Sequence, residues 1–162
     1  ERPRLAQKIC YLMDEHEIPH HMLWLELTEC GSDVDPNKIK QAMEELRDEG
    51  FMFSMDDFGK GESNFLRLLD YDFDVLKVDK EFVWSIEDKQ KGKAALNCVI
   101  DFAKGQNMMV TAEGVETQMH VDFLKQAGVT NLQGYLISRP LEPKACMEFL
   151  EKYRNVDILQ LP

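Results

Sequence analysis

A chain of 162 residues with 44% hydrophobic and 30% charged side chains has the composition of one ordinary globular domain, long enough to bury about 70% of its chain surface. Its formal net charge of −11 argues against binding polymeric nucleic acid, whose backbone is held by lysines and arginines. A small phosphorylated ligand stays open, because local cations or metals can reverse the field in one cleft.

The first apolar stripe, Leu5, Ile9, Leu12 and Met13, predicts a helix after Pro3, and Pro19 closes it before a strand at Met22-Leu23-Trp24-Leu25. Asp33 and Asp35 then precede Pro36, and Ile39, Met43 and Leu46 predict a second helix that stops at Gly50. A strand over Phe51 to Met55 follows, then a helix from Phe65 to Leu69 and a strand at Val75-Leu76-Lys77-Val78. A long helix around Ala94 to Lys104 leads to a strand at Met109-Val110-Thr111-Ala112. The last elements are a helix from Thr117 to Gln126, a short strand near Asn131-Leu132-Gln133 and a helix from Pro143 to Tyr153.

Five strands alternating with helices predict an α/β fold with parallel strands, either a barrel or a doubly wound sheet. Charged or polar residues favour the barrel: Glu26, Asp56 with Asp57, Lys77, Glu113 and Gln133 each lie in or just after a different strand. Barrel sites gather side chains from several strand ends, whereas a doubly wound sheet concentrates them at one switch point. No linker or low-complexity segment divides the chain, so one domain over 1–154 and a tail over 155–162 are expected. No apolar run could span a bilayer and no secretory leader is in view, so the segment is expected to be soluble and cytoplasmic. Other segments of a parent protein could still anchor it to a membrane.

Adjacent Asp56 and Asp57 at a strand end repel unless a hard cation such as Mg2+ or Mn2+ lies between them, although Asp also serves as a cap or turn residue there. Glu26, flanked by Leu25 and Leu27, either faces a barrel interior, where a lone carboxylate is costly, or sits at an outward edge. Lys77 poses the same choice with opposite sign: a buried cation facing phosphate, or a side chain reaching out to solvent. Glu113 ends a strand, and Glu116 also suits a helix N-terminus. The cysteines Cys10, Cys30, Cys98 and Cys146 form no C-x-x-C pair and the four histidines no H-E-x-x-H spacing, so reduced packing cysteines are expected and histidine metal chemistry is not.

Taken together, Glu26-Leu27-Thr28-Glu29, Asp56-Asp57-Phe58-Gly59, Leu76-Lys77-Val78-Asp79, Ala112-Glu113-Gly114-Val115-Glu116-Thr117 and Gln133-Gly134-Tyr135 with Arg139-Pro140 resemble the EAL domain. The resemblance implies a (β/α)8 TIM-barrel-like fold that hydrolyses cyclic di-GMP to linear pGpG with two Mg2+ or Mn2+ ions. It implies Glu26, Asp56, Asp57 and Glu113 as metal ligands, Lys77 beside the attacking water, and Glu113 as the group that takes its proton. Glu116 and Gln133 match positions that organise the site, Glu29 anchors the loop after the Asp pair, and Gln133, Gly134 and Pro140 match substrate-contacting positions. Bacterial second-messenger signalling, a homodimer and an upstream sensory or GGDEF-type domain are further implications.

The loop Gly59-Lys60-Gly61-Glu62 departs from the family pattern, which has a threonine-like residue at Lys60 and an aromatic at Glu62. The chain also begins after the Glu-Ala-Leu motif and the strand carrying a metal-ligand asparagine. About five of eight strands are therefore expected, and the fragment alone is expected to be inactive. The alternative functions are a catalytically silent EAL-like module that binds cyclic di-GMP or a partner protein, and an unrelated metal-assisted barrel enzyme.

Overall fold

Pro36 opens a helix because a proline loses nothing at the first helical position, and the Asp35 carboxylate caps it by accepting from the Asn37 N–H at 3.0 Å. Local rules of this kind set most of the elements in the computed structural model, which describes residues 4–28, 35–60, 64–88 and 90–154. The helices are α1 (Arg4–Glu15), α2 (Pro36–Asp48), α3 (Asn64–Asp70), α4 (Lys80–Asp88), α5 (Gln90–Gly105), α6 (Gln118–Ala127) and α7 (Pro143–Tyr153). The strands are β1 (Trp24–Leu27), β2 (Met52–Phe58), β3 (Val75–Val78), β4 (Met109–Ala112) and β5 (Asn131–Leu132). Strand order is β1-β2-β3-β4-β5, and no described helix is long and apolar enough to cross a membrane. The expected tail, 155–162, lies outside the described residues.

The chain divides into two compact units, 1–77 and 78–162. In the first, β1 and β2 pair in parallel with Leu25 opposite Phe53 and Glu26 opposite Ser54. Alternation then puts Leu25, Leu27, Phe53 and Met55 on one face, and Glu26, Ser54 and Asp56 on the other. Phe53 and Met55 are inaccessible, with Met43 and Leu46 of α2 in the same core, and Ser54 on the opposite face is buried as well. Arg47 of α2 bridges to Asp74 at 2.9 Å, and Asp74 also accepts from the Phe53 N–H at 2.8 Å.

In the second unit β4 and β5 pair in parallel, Thr111 opposite Asn131. Val110, Ala112, Val115, Leu96, Ile100 and Leu124 form its core. The Thr117 hydroxyl caps α6 by accepting from His120 N–H, and Gly128 ends it in the left-handed conformation, φ 77°.

Three expectations are corrected. The strand expected at Met22 begins at Trp24, because Met22 and Leu23 donate to the Pro19 and His20 carbonyls in a 3-10 turn, His20–Met22. β2 runs on through Asp56 and Asp57 to Phe58 rather than ending at Met55. A helix that periodicity did not suggest, α4, precedes the long α5. Buried Asp79 caps it, accepting from the Glu81 N–H at 2.8 Å, and Val83 and Ile86 bury one face of it completely.

Candidate active site

Register places Glu26 of β1 on the same face as Ser54 and Asp56 of β2, and the Lys77 ammonium of β3 lies against both carboxylates. Its Nζ is 2.8 Å from Glu26 Oε1 and 2.9 Å from Asp56 Oδ1. The Lys77 and Asp56 side chains are only 14% and 18% exposed, against 45% for Glu26, so the lysine is a paired cation and does not reach out to solvent. Attraction at this depth is stronger than in water, and it offsets the cost of desolvating the charges.

Asp57 carries the backbone turn that follows. Its φ is 55°, in the left-handed region that Asp tolerates better than most residues, and Gly59 continues the bend at φ 102°. The twist breaks strand alternation after Asp56. Lys60 lies 3.6 Å from the Asp57 carboxylate at the exposed rim. Glu29 and Glu62 fall outside the described residues.

The remaining expected residues cluster in the second unit. Glu113, Glu116, Gln133, Gly134 and Pro140 all line one cavity of about 400 Å³, with Lys80, Trp84, Tyr135, Ser138 and Arg139 completing its wall. Main-chain bonds shape it: Glu113 N–H donates to the Val78 carbonyl, Gln133 N–H to Ala112, and Val115 N–H to Gln133. Gly114, at φ 67°, brings the chain against Lys80, where a Cβ would overlap the lysine's own Cβ. At Gly134 a Cβ would run into the Val115 backbone, so only glycine permits that approach.

Sequence reasoning missed Lys80 and Trp84. Trp84 donates its indole N–H to the Gly114 carbonyl at 2.8 Å, and the Lys80 ammonium lies 5.5 Å from the centre of the Trp84 ring. Arg139 covers the Tyr135 ring at 4.5 Å. Their signal was the Asp79 cap, which starts α4 directly after the Lys77 strand and so points its first turn at the cavity. Glu116 does not open α6 but stands before its cap, Thr117. Beneath it His120, fully buried, accepts from the Glu116 N–H at Nδ1 and turns Nε2 to within 2.7 Å of the Glu87 carboxylate.

The donor set of the first unit fits a hard divalent cation. Glu26 and Asp56 offer carboxylate oxygens that already converge on one positive charge, while the carboxylate of Asp57, next in the chain, is turned to Lys60 and does not form a three-acid group with them.

Among known proteins, the chain is 34% identical over 153 residues to the cyclic di-GMP phosphodiesterase NbdA of Pseudomonas aeruginosa, covering 94% of this chain and 20% of the relative. It thus spans about a fifth of that relative's length. The solved EAL domain of Mycobacterium smegmatis DcpA matches with a TM-score of 0.87 at 27% identity, over 93% of this chain and 68% of that one. Klebsiella pneumoniae BlrP1, solved as a manganese and cyclic-di-GMP complex, matches with a TM-score of 0.79 at 27% identity, over 86% of this chain and 36% of that one. The α/β barrel-like architecture read from the strand-end pattern is the one these neighbours share. With the EAL domain model matched over residues 1–140 as well, the chain belongs to the EAL domain family.

Proposed function

We propose that the domain carrying this chain hydrolyses cyclic di-GMP to linear pGpG in bacterial second-messenger signalling. The observation that carries the reading is the convergence of Glu26 and Asp56 on the Lys77 ammonium, with Asp57 in a left-handed turn next to them. Kinship with NbdA, named a cyclic di-GMP phosphodiesterase, and with BlrP1, solved with manganese and cyclic di-GMP, supports it.

In this reading Glu26, Asp56, Asp57 and Glu113 hold two divalent cations, Mg2+ or Mn2+. Such ions supply acidity to the attacking water and neutralise phosphodiester charge. Glu113 takes the water's proton as the water oxygen bonds to phosphorus and the bond from phosphorus to the 3′-oxygen breaks. Lys77 stabilises the negative charge that grows on the phosphoryl oxygens. Gln133, Gly134 and Pro140 contact the nucleotide in the 400 Å³ cavity, where the Lys80 and Arg139 cations suit its phosphate and the Trp84 and Tyr135 rings its base. Glu116 and Gln133 hold the site's shape, and Glu29 anchors the loop after the Asp pair. Residues 1–154 form part of an EAL domain that works as a homodimer in the cytoplasm, below a sensory or GGDEF-type domain.

The test is hydrolysis of cyclic di-GMP, with Mg2+ or Mn2+, by this chain and by a version extended N-terminally through three further strands, each also as Glu113→Gln. Turnover is expected from the extended protein, with a loss of roughly 10²–10⁴-fold in the variant, the usual worth of a general base. The chain alone is expected to be inactive. An extended, folded protein that binds cyclic di-GMP but never turns it over makes the domain a receptor and ends the enzyme reading.

A further inference from the structure

Cys10 and Asp14 stand one turn apart on α1, so both side chains leave the same face of the helix. Facing them are His20, in the 3-10 turn, and Glu49, which follows α2. One ligand atom each from Cys10, His20 and Glu49 fall within 4.8 Å of one another. Sequence spacing gave no hint of this, since the three residues come from three separate segments.

The histidine is set up as a ligand. Its Nδ1 lies 2.7 Å from the Glu49 carbonyl oxygen, which can only accept, so Nδ1 carries a proton and Nε2 is the nitrogen left to ligate. A backbone carbonyl on the far nitrogen is the usual partner of a metal-bound imidazole. Nε2 itself is buried without a hydrogen bond, and the Asp14 carboxylate oxygen stands 3.3 Å from it. A proton on Nε2 pairs the ring with Asp14, and a metal ion bound there takes that proton's place. The imidazole is already fixed in place, stacked on Phe51 with ring centres 4.6 Å apart and planes 14° from parallel.

We propose that Cys10, His20 and Glu49 bind one Zn2+ ion. Thiolate and imidazole donors select zinc over the hard ions suited to Glu26 and Asp56. The acidic side chains of Glu45 and Asp48 share the same groove, of about 630 Å³, and draw cations into it. Three protein ligands leave the fourth tetrahedral position to water. The site's place favours a structural role over a catalytic one. His20 and Glu49 precede β1 and β2, while Asp56 lies on the order of 20 Å further along the chain, and residues at the N-terminal ends of barrel strands serve stability more than chemistry. The ion would tie α1, the 3-10 turn and the end of α2 together.

The test is a titration of the metal-free chain with Co2+ and then Zn2+, under reducing conditions. One equivalent of Co2+ is expected to give tetrahedral visible bands and a near-ultraviolet thiolate-to-cobalt band, all displaced by one equivalent of Zn2+. Cys10→Ser should abolish the ultraviolet band. Cys10→Ser and His20→Gln should each weaken Zn2+ binding by on the order of 100-fold, since even an outer partner is worth roughly 10–100-fold. The band should persist in Cys98→Ser and in Asp56→Asn, which separates this site from the other thiols and from the carboxylate cluster. Folding of each variant is checked by circular dichroism, and the exposed Glu49→Gln, expected to weaken binding about 10-fold, replaces any variant that fails to fold. Absence of the ultraviolet band, its survival in Cys10→Ser, or Zn2+ affinity unmoved by these changes overturns the proposal.

Discussion

In the unit 1–77 the chemistry-bearing side chains hold one another: Lys77 sits between Glu26 and Asp56, and the strands supply only register. In the unit 78–162 the main chain does the holding. There Glu113 and Gln133 are fixed through their backbone amides, and the loops approach each other through Gly114 and Gly134. The contrast separates two kinds of vulnerability. A charge cluster can lose its chemistry while the fold survives, because an isosteric side chain keeps the packing. A cavity shaped by close backbone approach loses its shape when a single methyl group is added.

The largest expected effect tests the first half of that contrast. Lys77→Met keeps much of the lysine's length but removes the ammonium, and it should cut cyclic di-GMP hydrolysis by the extended domain by about 10²–10³-fold, the scale for losing one charge-stabilising donor. The variant leaves Glu26 and Asp56 facing each other, so its melting temperature should rise more than the parent's when Mn2+ is added. Equal Mn2+ responses in the two proteins would mean that the lysine and the metal do not share these carboxylates.

Gly134→Ala tests the second half. Its Cβ meets the Val115 backbone, which has no flexible end to move aside, and a stability loss of about 3 kcal/mol is expected in urea unfolding. A loss under about 0.5 kcal/mol, the range of ordinary surface changes, would show that the cavity wall yields and that its shape is not set by the backbone.

Helix caps give the smallest effect and a control common to both units. Asp35→Ala and Thr117→Ala each remove one side-chain acceptor from a helix N-terminus, and each should cost about 1 kcal/mol. Similar losses would place the difference between the units in their sites and not in the robustness of their helices.

Much of this was legible in the chain itself. Apolar period, Pro36 and Pro143 placed α2 and α7 nearly to the residue, and the helix read from Thr117 to Gln126 lies within a residue of α6, because such signals act within a turn of where they are read. The strand-end acids and Lys77 could be picked out because a charge beside buried apolar neighbours demands a partner. The α4 helix was not read, since its stripe of Val83 and Ile86 is short and its cap, Asp79, also belongs to the Lys77 motif.

Sequence alone therefore determined the alternation of elements, the family and the residue types able to do chemistry. Which of them meet was decided only by the tertiary structure: that Lys77 pairs with both Glu26 and Asp56, that Trp84 closes the cavity over Gly114, and that Cys10, His20 and Glu49 share one corner. Local spacing reports what the backbone does within a few residues. Contacts between separate segments depend on strand register, helix rotation and backbone turns such as the one at Asp57, and these are set by packing of the whole core.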